Sequence, residues 1–312
     1  MSVFVVVVTY NSGHEWLDQC LGSLRLSKVP LQCIVIDNAS NDDSVEYIRA
    51  NYPEVELITS SENLGFAKAN NLGISKALVA GAEHVFLLNH DAWFVGDCLE
   101  QLVKLQQQSP EFGILSPVHL NGSGERLDWN FTKYISSCHD EGRQLYTQLI
   151  KGEPLHAIYQ VDFVNAAAWL ISRACLLQVG LFDTELFVHY GEDTHYAQRV
   201  NYHQFKIGAV PRCFIHHDRE ERSGKAVTTV FNQNNELLSF ILDLSNILKA
   251  EDQSLIRCYL RNRVKLTLLA LVTLNFSEFR QQFAVYKRMH ALLPTISRRR
   301  QLNSKTAIWP AD

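Results

Sequence analysis

The sequence predicts an α/β fold with a mostly parallel sheet flanked by helices, followed by a C-terminal helical region. Three observations predict it. Val3 to Val8 is a β-branched apolar run of the kind found in strands buried on both faces. Short apolar runs then alternate with amphipathic stretches of helical period up to about residue 120, the order of a parallel sheet with right-handed crossovers. From about Ala226 onward only helical periodicity remains.

The elements follow in order. After the first strand, Ser12-Gly13-His14-Glu15 has capping-box spacing, and the helix behind it places Trp16, Leu17, Cys20, Leu21 and Leu24 on one face. Cys33 to Ile36 reads as a second buried strand, and a helix with Val45 and Ile48 inward ends at Pro53. Val55 to Thr59 is a third strand, Gly65 to Ala80 a helix, and His84 to Leu88 a fourth strand ending in Asn89-His90-Asp91. Asp97 and Glu100 again have capping-box spacing before the next helix. Phe112 to Leu120 closes this regular half. Asn121 to Gln160 has no clean period and is expected to form long loops with short elements. Order returns with Val161 to Ile171, a short helix from Arg173 stopped by Gly180, a helix near Gly191, and two short strands at Lys206 to Val210 and Cys213 to His217.

The expected division is a domain over 1–225, with a donor half over 1–120 and an acceptor half over 121–225, and a helical basic region over 226–312. The chain has 312 residues, 46% apolar and 20% charged, which excludes a disordered or fibrous protein. Its seven cysteines show neither Cys-x-x-Cys nor zinc spacing and are expected to be buried thiols. The pair Glu220-Glu221, like Asp42-Asp43, reads as solvated charge. The N-terminus lacks the basic flank of a signal peptide, and no apolar run is long enough to span a bilayer. The expected location is cytoplasmic, or peripheral on the inner face of the cell membrane.

The formal net charge of -4 argues against nucleic acid as a partner. The charge is uneven, however. From Ser254 onward eleven basic residues stand against two acidic ones, so an acidic body carries a basic tail. Residues 255–312 are expected to meet an anionic membrane surface, or to form a homodimer through the C-terminal helices.

In an open α/β sheet, ligands bind beyond the carboxyl ends of the strands. Polar clusters stand at four such ends: Thr9-Tyr10-Asn11, Asp37-Asn38-Ala39-Ser40, Asn63-Leu64-Gly65-Phe66 and Asn89-His90-Asp91. Asn38 and Ser40 also suit helix caps. Neither G-x-x-x-x-G-K-[ST] nor G-x-G-x-x-G follows the first strand, against a P-loop NTPase and a dinucleotide oxidoreductase. Phosphate charge then calls for a metal, and Asp91 can supply a carboxylate for one.

These motifs, in this order and spacing, resemble family 2 glycosyltransferases. Val7-Val8-Thr9-Tyr10-Asn11, Ile36-Asp37-Asn38-Ala39-Ser40 and Asn63-Leu64-Gly65-Phe66-Ala67-x-Ala69-Asn70 carry the likeness, with Asn89-His90-Asp91 where the family has Asp-x-Asp. Gly180-x-Phe182-Asp183, Gly191-Glu192-Asp193, His216-His217 and Arg261-Asn262-Arg263 continue it. The likeness is greatest to bacterial rhamnosyltransferases of surface polysaccharide synthesis, a branch that also carries Asn in place of the first Asp.

The resemblance implies a GT-A fold. It implies inverting transfer from a nucleoside diphosphate sugar, dTDP-rhamnose first and a UDP-sugar second, to a glycan or polyprenyl-diphosphate-linked acceptor. Asp37 can accept the N3–H of uracil or thymine, which cytosine lacks. Tyr10 can stack on the base, with Thr9, Asn11, Asn38, Asn63, Gly65, Phe66 and Asn89 around the nucleotide and Asn70 reaching toward the ribose. Asp91 is expected to bind Mg²⁺ or Mn²⁺ with His216, for which His217 competes. Asp193 stands at the family's base position, Glu192 beside it, and a helix N-terminus is expected to lower the Asp193 pKa. Trp93, Trp129 and Trp169 can stack on sugar faces. A sugar nucleotidyltransferase wants a Gly-rich, basic loop after the first strand, which Thr9-Tyr10-Asn11-Ser12 lacks. A non-catalytic sugar-binding module is disfavoured by intact Asp91 and Asp193.

Overall fold

The computed structural model describes residues 2–137, 140–188, 190–219 and 226–307. Cys138 and Glu220-Glu221 lie outside them. Residues Met1–Ser223 with Thr306–Asp312 form one compact unit, and Gly224–Lys305 forms a second.

The first unit is built on a sheet whose parallel half comprises β1 (Val3–Thr9), β2 (Leu31–Asp37), β3 (Glu56–Thr59) and β4 (His84–Asn89). β1 lies between β2 and β4, and β3 extends the sheet beyond β2, all in parallel. Helices α1 (His14–Arg25), α2 (Ser44–Asn51) and α3 (Gly65–Val79) make the crossovers. Strand alternation sends Val3, Val5 and Val7 into one core with Leu17, Leu21 and Ile48, and Phe4 and Val6 into another with Ala67, Ile74 and Ala77. Both faces are covered, so β1 is apolar from Val3 to Val8. Gly73 lets α3 lie directly on β1, because a Cβ there would overlap the Val6 side chain.

The sheet continues with β5 (Ala92–Val95), β6 (Phe112–Asn121), β7 (Tyr159–Val161), β8 (Ala168–Ser172) and β9 (Lys206–His217), separated by α4 (Cys98–Gln108), α5 (Trp129–Ser137), α6 (Asp140–Lys151), α7 (Arg173–Val179) and α8 (Glu192–Tyr202). The order is β3-β2-β1-β4-β8-β6-β9-β5, with β7 also on β9. Antiparallel β8 joins the parallel half to β6, and β6 runs parallel to β9.

Several local expectations are corrected. Neither predicted capping box forms. The N-cap of α1 is Gly13, and the Ser12 hydroxyl instead hydrogen bonds with the Thr9 hydroxyl. Asp97 and Glu100 serve other partners, the Gln101 amide at 2.6 Å and the Lys28 backbone N–H at 2.5 Å. Residues 121–160 hold two helices. Phe131 and Ile135 on α5 are buried, and Gly142 on α6 allows the backbones to touch, since a Cβ would strike the Ile135 carbonyl. Asp128 Oδ1 accepts from Phe131 N at 2.9 Å and so caps α5. The two strands expected at Lys206 to His217 are one strand. Its register steps from Pro117↔Val210 to Val118↔Phe214, so β9 bulges across Pro211 and crosses the residue that lacks an N–H. The unexpected β5 exists because it pairs with the end of β9, Trp93 opposite His216.

The second unit contains α9 (Ala226–Ser245), α10 (Gln253–Val272) and α11 (Phe276–Asn303). Arg263 on α10 is buried and paired with Glu236 of α9 and Gln282 of α11. Arg300 donates to the carbonyls of Leu244, Asn246 and Lys249, holding α11 to the end of α9. Among the described residues no helix is long and apolar enough to cross a membrane.

Candidate active site

The carboxyl ends of β1, β2, β4 and β9 bring together most of the polar residues singled out above. The loop after β2 is the most tightly braced. Asp37 is buried; its Oδ2 accepts from Ser40 N at 3.1 Å, while buried Oδ1 has no hydrogen-bond partner. Such an orphaned carboxylate oxygen is costly unless a ligand satisfies it. Asn38 donates to Asn63 Oδ1 at 2.9 Å and accepts from Leu64 N at 2.6 Å, tying the β2 loop to the loop before α3. Asn63 Oδ1 also accepts from Gly65 N at 3.0 Å. Asn11 closes the set: its N–H donates to the Ser40 hydroxyl and its Oδ1 accepts from Asn41 N. Tyr10, after β1, is 44% exposed beside this loop.

Three expected donor contacts turn inward. Thr9 is buried with its hydroxyl engaged by Ser12. Asn70 is buried and donates to the Phe66 carbonyl at 2.9 Å, one turn back in α3, so it does not reach toward a ribose. Phe66 is half-buried edge-on to Phe182, with ring centroids 6.1 Å apart.

The turn after β4 meets the end of β9. Asp91 and His217 are both buried, with Asp91 Oδ1 3.6 Å from His217 Nε2. Asn89 Nδ2 is 3.4 Å from the same nitrogen. The expected partner, His216, points the other way because neighbouring residues on a strand face opposite sides. Its ring stacks on Trp93 at 5.1 Å, and Nδ1 bonds the Gly122 carbonyl at 3.0 Å. Trp93 is thereby occupied as well. Trp169 is buried in the core with its indole N–H on the Val164 carbonyl. Trp129 is 72% exposed, with Lys133 Nζ 4.9 Å from its ring centroid.

Residues that the sequence reading passed over complete this corner. Arg219 Nε donates to His217 Nε2 at 3.0 Å, which leaves the imidazole proton on Nδ1. That Nδ1 faces Asp128 Oδ2 at 3.8 Å. His119 packs edge-on to His217 at 5.9 Å, and burial, with the nearby Arg219 charge, pushes its pKa well down. Asp128 carried a legible signal, an N-cap residue ahead of an apolar i, i+4 pair. Arg219 had none, since two residues beyond a strand it reads as solvated charge.

Glu192 and Asp193 open α8. Gly191, at φ 88°, is the N-cap and turns the chain into the helix. Thr194 N donates to Asp193 Oδ1 at 2.7 Å, and the Ala166 backbone also hydrogen bonds to this carboxylate. The neighbouring Ala167 carbonyl accepts from Asn89 N at 2.9 Å, so one short segment touches both the turn after β4 and Asp193. The helix N-terminus does not win. Burial raises the Asp193 pKa, against those backbone hydrogen bonds and the Arg219 charge. Glu192 is buried with Oε2 unpartnered, and burial together with the Asp193 charge raises its pKa to about 7. Tyr134, on α5, feels Asp193, Arg219 and Asp128 together, and burial chiefly raises its pKa.

The donor set at Asp91 suits a divalent cation that brings most of its own ligands. Asp91 offers a carboxylate oxygen and His217 an imidazole nitrogen. Among the described residues no cluster of three His, Cys, Asp or Glu side chains is arranged for a metal. Diphosphate oxygens and water would have to complete the shell, and Arg219 would have to yield its hold on His217 Nε2.

The chain is similar to the dTDP-rhamnosyl transferase RfbF of Shigella flexneri, 23% identical over 72% of this chain and 71% of that protein. It is also similar to the N-acetylglucosaminyl-diphospho-decaprenol L-rhamnosyltransferase of Mycobacterium tuberculosis, 25% identical over 71% of this chain and 77% of that protein. Among solved structures, the mannosyltransferase PcManGT of Pyrobaculum calidifontis, in complex with GDP-Man and Mn²⁺, superposes with a TM-score of 0.53 at 18% identity, over 95% of this chain and 79% of that one. GalNAc-T7 with UDP, GalNAc and Mn²⁺ gives a TM-score of 0.53 at 16% identity, covering 70% of this chain but only 44% of that one. These structures share the GT-A fold with it. Residues 4–166, more than half of the sequence and the stretch that holds the β1, β2 and β4 rim, match glycosyl transferase family 2, and the chain belongs to that family.

Proposed function

We propose that the chain transfers a sugar, with inversion, from a nucleoside diphosphate sugar to a hydroxyl of a glycan or lipid-linked glycan in cell-surface polysaccharide synthesis. The favoured donor is dTDP-rhamnose, with a UDP-sugar second. Residues 1–120 mainly hold the donor, and 121–225 supply the acceptor side and the base. The reaction places the chain in the cytoplasm, or against the inner face of the cell membrane.

One observation carries the reading. Arg219 bonds His217, which faces Asp91, and the Arg219 charge acts on Asp193. Arg219 therefore links a diphosphate-side corner to the Asp193 carboxylate at the start of α8, which supports a displacement at a sugar carbon between them. The unsatisfied Asp37 Oδ1 supports a base with an N–H at its reading edge. The relative whose name specifies a dTDP-rhamnosyl transferase supports thymidine, and the one whose name specifies a diphospho-decaprenol acceptor supports a lipid-linked glycan.

In this mechanism Asp37 selects the base and Tyr10 covers it. Asp91 and His217 would hold Mg²⁺ or Mn²⁺, with Asp128 facing the Nδ1 side of the His217 ring. A divalent cation there would supply charge neutralisation for the departing diphosphate. Asp193 takes the proton of the acceptor hydroxyl on the opposite face of the sugar. Its raised pKa makes it a stronger base than an ordinary aspartate. Glu192 stays close to half-protonated near pH 7 and positions the acceptor. Exposed Trp129, next to Asp128, offers a stacking face for an acceptor sugar.

The test is a transfer assay with dTDP-rhamnose and UDP-sugars, Mn²⁺, and a diphospholipid-linked N-acetylglucosamine acceptor, with product anomer read by NMR. Inverted product from one donor class supports the reading. Release of nucleotide diphosphate with no glycosidic product, or a retained anomer, would overturn it.

A further inference from the structure

We propose that the tip of the α10–α11 hairpin is a docking element for an anionic membrane surface. This goes beyond the transfer reaction and does not depend on it.

The tip is the most exposed apolar cluster among the described residues. Leu268, Leu269, Leu271, Val272, Leu274 and Phe276 are all exposed, Val272 by 79% and Leu274 by 71%. Between Val264 and Ser277 only Thr267 and Ala270 are buried. Successive helix residues lie about 100° apart, so Leu268, Leu269, Leu271 and Val272 share one outward face spanning about 160°, opposite buried Thr267 and Ala270. Leu274, at φ 55°, then turns the chain into α11, so the apolar cluster caps a convex hairpin.

Charge chooses the occupant. Arg257, Arg261 and Lys265 are exposed and recur every fourth residue, a basic stripe down α10 to the tip. Arg280 is exposed on the first turns of α11. No acidic residue lies within α10, and Glu278, the single acid of α11, accepts a hydrogen bond from Gln282. A second copy of the chain would bring the same positive stripe against itself. A bilayer carrying anionic lipid offers both an apolar interior for the tip and a negative surface for the stripe. Because no described helix can span a bilayer, the element lies on the membrane.

The experiment is co-sedimentation of the full chain with vesicles of phosphatidylglycerol and phosphatidylcholine in equal parts, and with phosphatidylcholine alone. The expected result is binding to the anionic vesicles that falls by about tenfold or more in high salt and on phosphatidylcholine. The double substitution Val272→Asp with Leu274→Asp should lower binding by about tenfold or more. Both side chains are exposed, so circular dichroism and melting temperature should stay those of the parent. Independently, Arg257→Gln, Arg261→Gln and Lys265→Gln together should weaken binding and flatten its salt dependence. A parent chain that stays in the supernatant at low salt overturns the proposal. So does equal binding to neutral vesicles, or a tip variant that binds like the parent. Dispersal of a dimer by the tip substitutions, with no vesicle binding, would assign the tip to a second copy instead.

Discussion

Asp91 Oδ1 lies 3.6 Å from His217 Nε2, while the adjacent His216 turns away onto the Trp93 ring. The pair is buried, and Asp128 and Arg219 stand at opposite nitrogens of the imidazole. Its arrangement separates two histidines that are indistinguishable in the sequence.

The first prediction follows from that separation. Asp91→Ala and His217→Ala should each weaken nucleoside diphosphate binding in Mn²⁺ and leave nucleoside binding unchanged, because a cation touches only the phosphates. His216→Ala should leave both intact. Asp128→Asn, acting through His217, should weaken Mn²⁺-dependent binding by about tenfold to hundredfold. Calorimetric titration with nucleoside and nucleoside diphosphate reads all four variants. A His216→Ala loss matching that of His217→Ala would refute the geometry.

Removing the proposed base should separate binding from chemistry. Asp193→Asn should keep donor affinity and lower transfer by about 10²- to 10⁴-fold. In the parent enzyme the acid limb of the rate profile should sit above the ordinary aspartate range, since burial raises this carboxyl. Near-normal turnover by the variant in a product-release assay would remove Asp193 from the mechanism.

Glu192 should make stability depend on pH. Its folded pKa is raised from 4.5 to about 7, so the folded chain holds this proton more tightly than the unfolded chain. Stability from this group is therefore greatest below pH 4.5, declines between about 4.5 and about 7, and stays lower above. Glu192→Gln should match the parent's melting temperature in acid. It should exceed it in mild alkali, by an amount corresponding to on the order of 3 kcal/mol. Parallel melting curves across that range would show that the carboxyl is not buried as described.

Base selection should rest on one oxygen. Asp37→Asn replaces a pure acceptor with a group that can also donate. It should lower affinity for uridine and thymidine diphosphates by about ten- to hundredfold, and narrow their advantage over the cytidine compound. Competition binding with the three nucleotides checks it. An unchanged ranking would place the base elsewhere.

The parallel half of the sheet was legible in the sequence because its strands are short apolar runs buried on both faces, and its helices carry one apolar face each. The polar ends of those strands were legible for the same reason, since a buried run must terminate where the chain meets solvent or ligand. The family and its fold followed from the order of these motifs. Other features depended on partners far along the chain. β5 is a strand only because β9 ends beside it, and α5 and α6 pack because Gly142 lets backbones touch, which no period in residues 121–160 announces. Asn70 looked free to reach a ligand, yet helical spacing aims its amide at the Phe66 carbonyl. The Asp193 pKa rises because its surroundings exclude water, a three-dimensional property that outweighs the helix N-terminus visible in Gly191-Glu192-Asp193. Which of His216 and His217 meets Asp91 was settled by strand parity through the Pro211 bulge, a register set by pairing with β6. Local sequence determines which residues are polar or apolar and how often they recur. Which polar atoms then meet, and how dry they are, is decided only when distant segments close on one another.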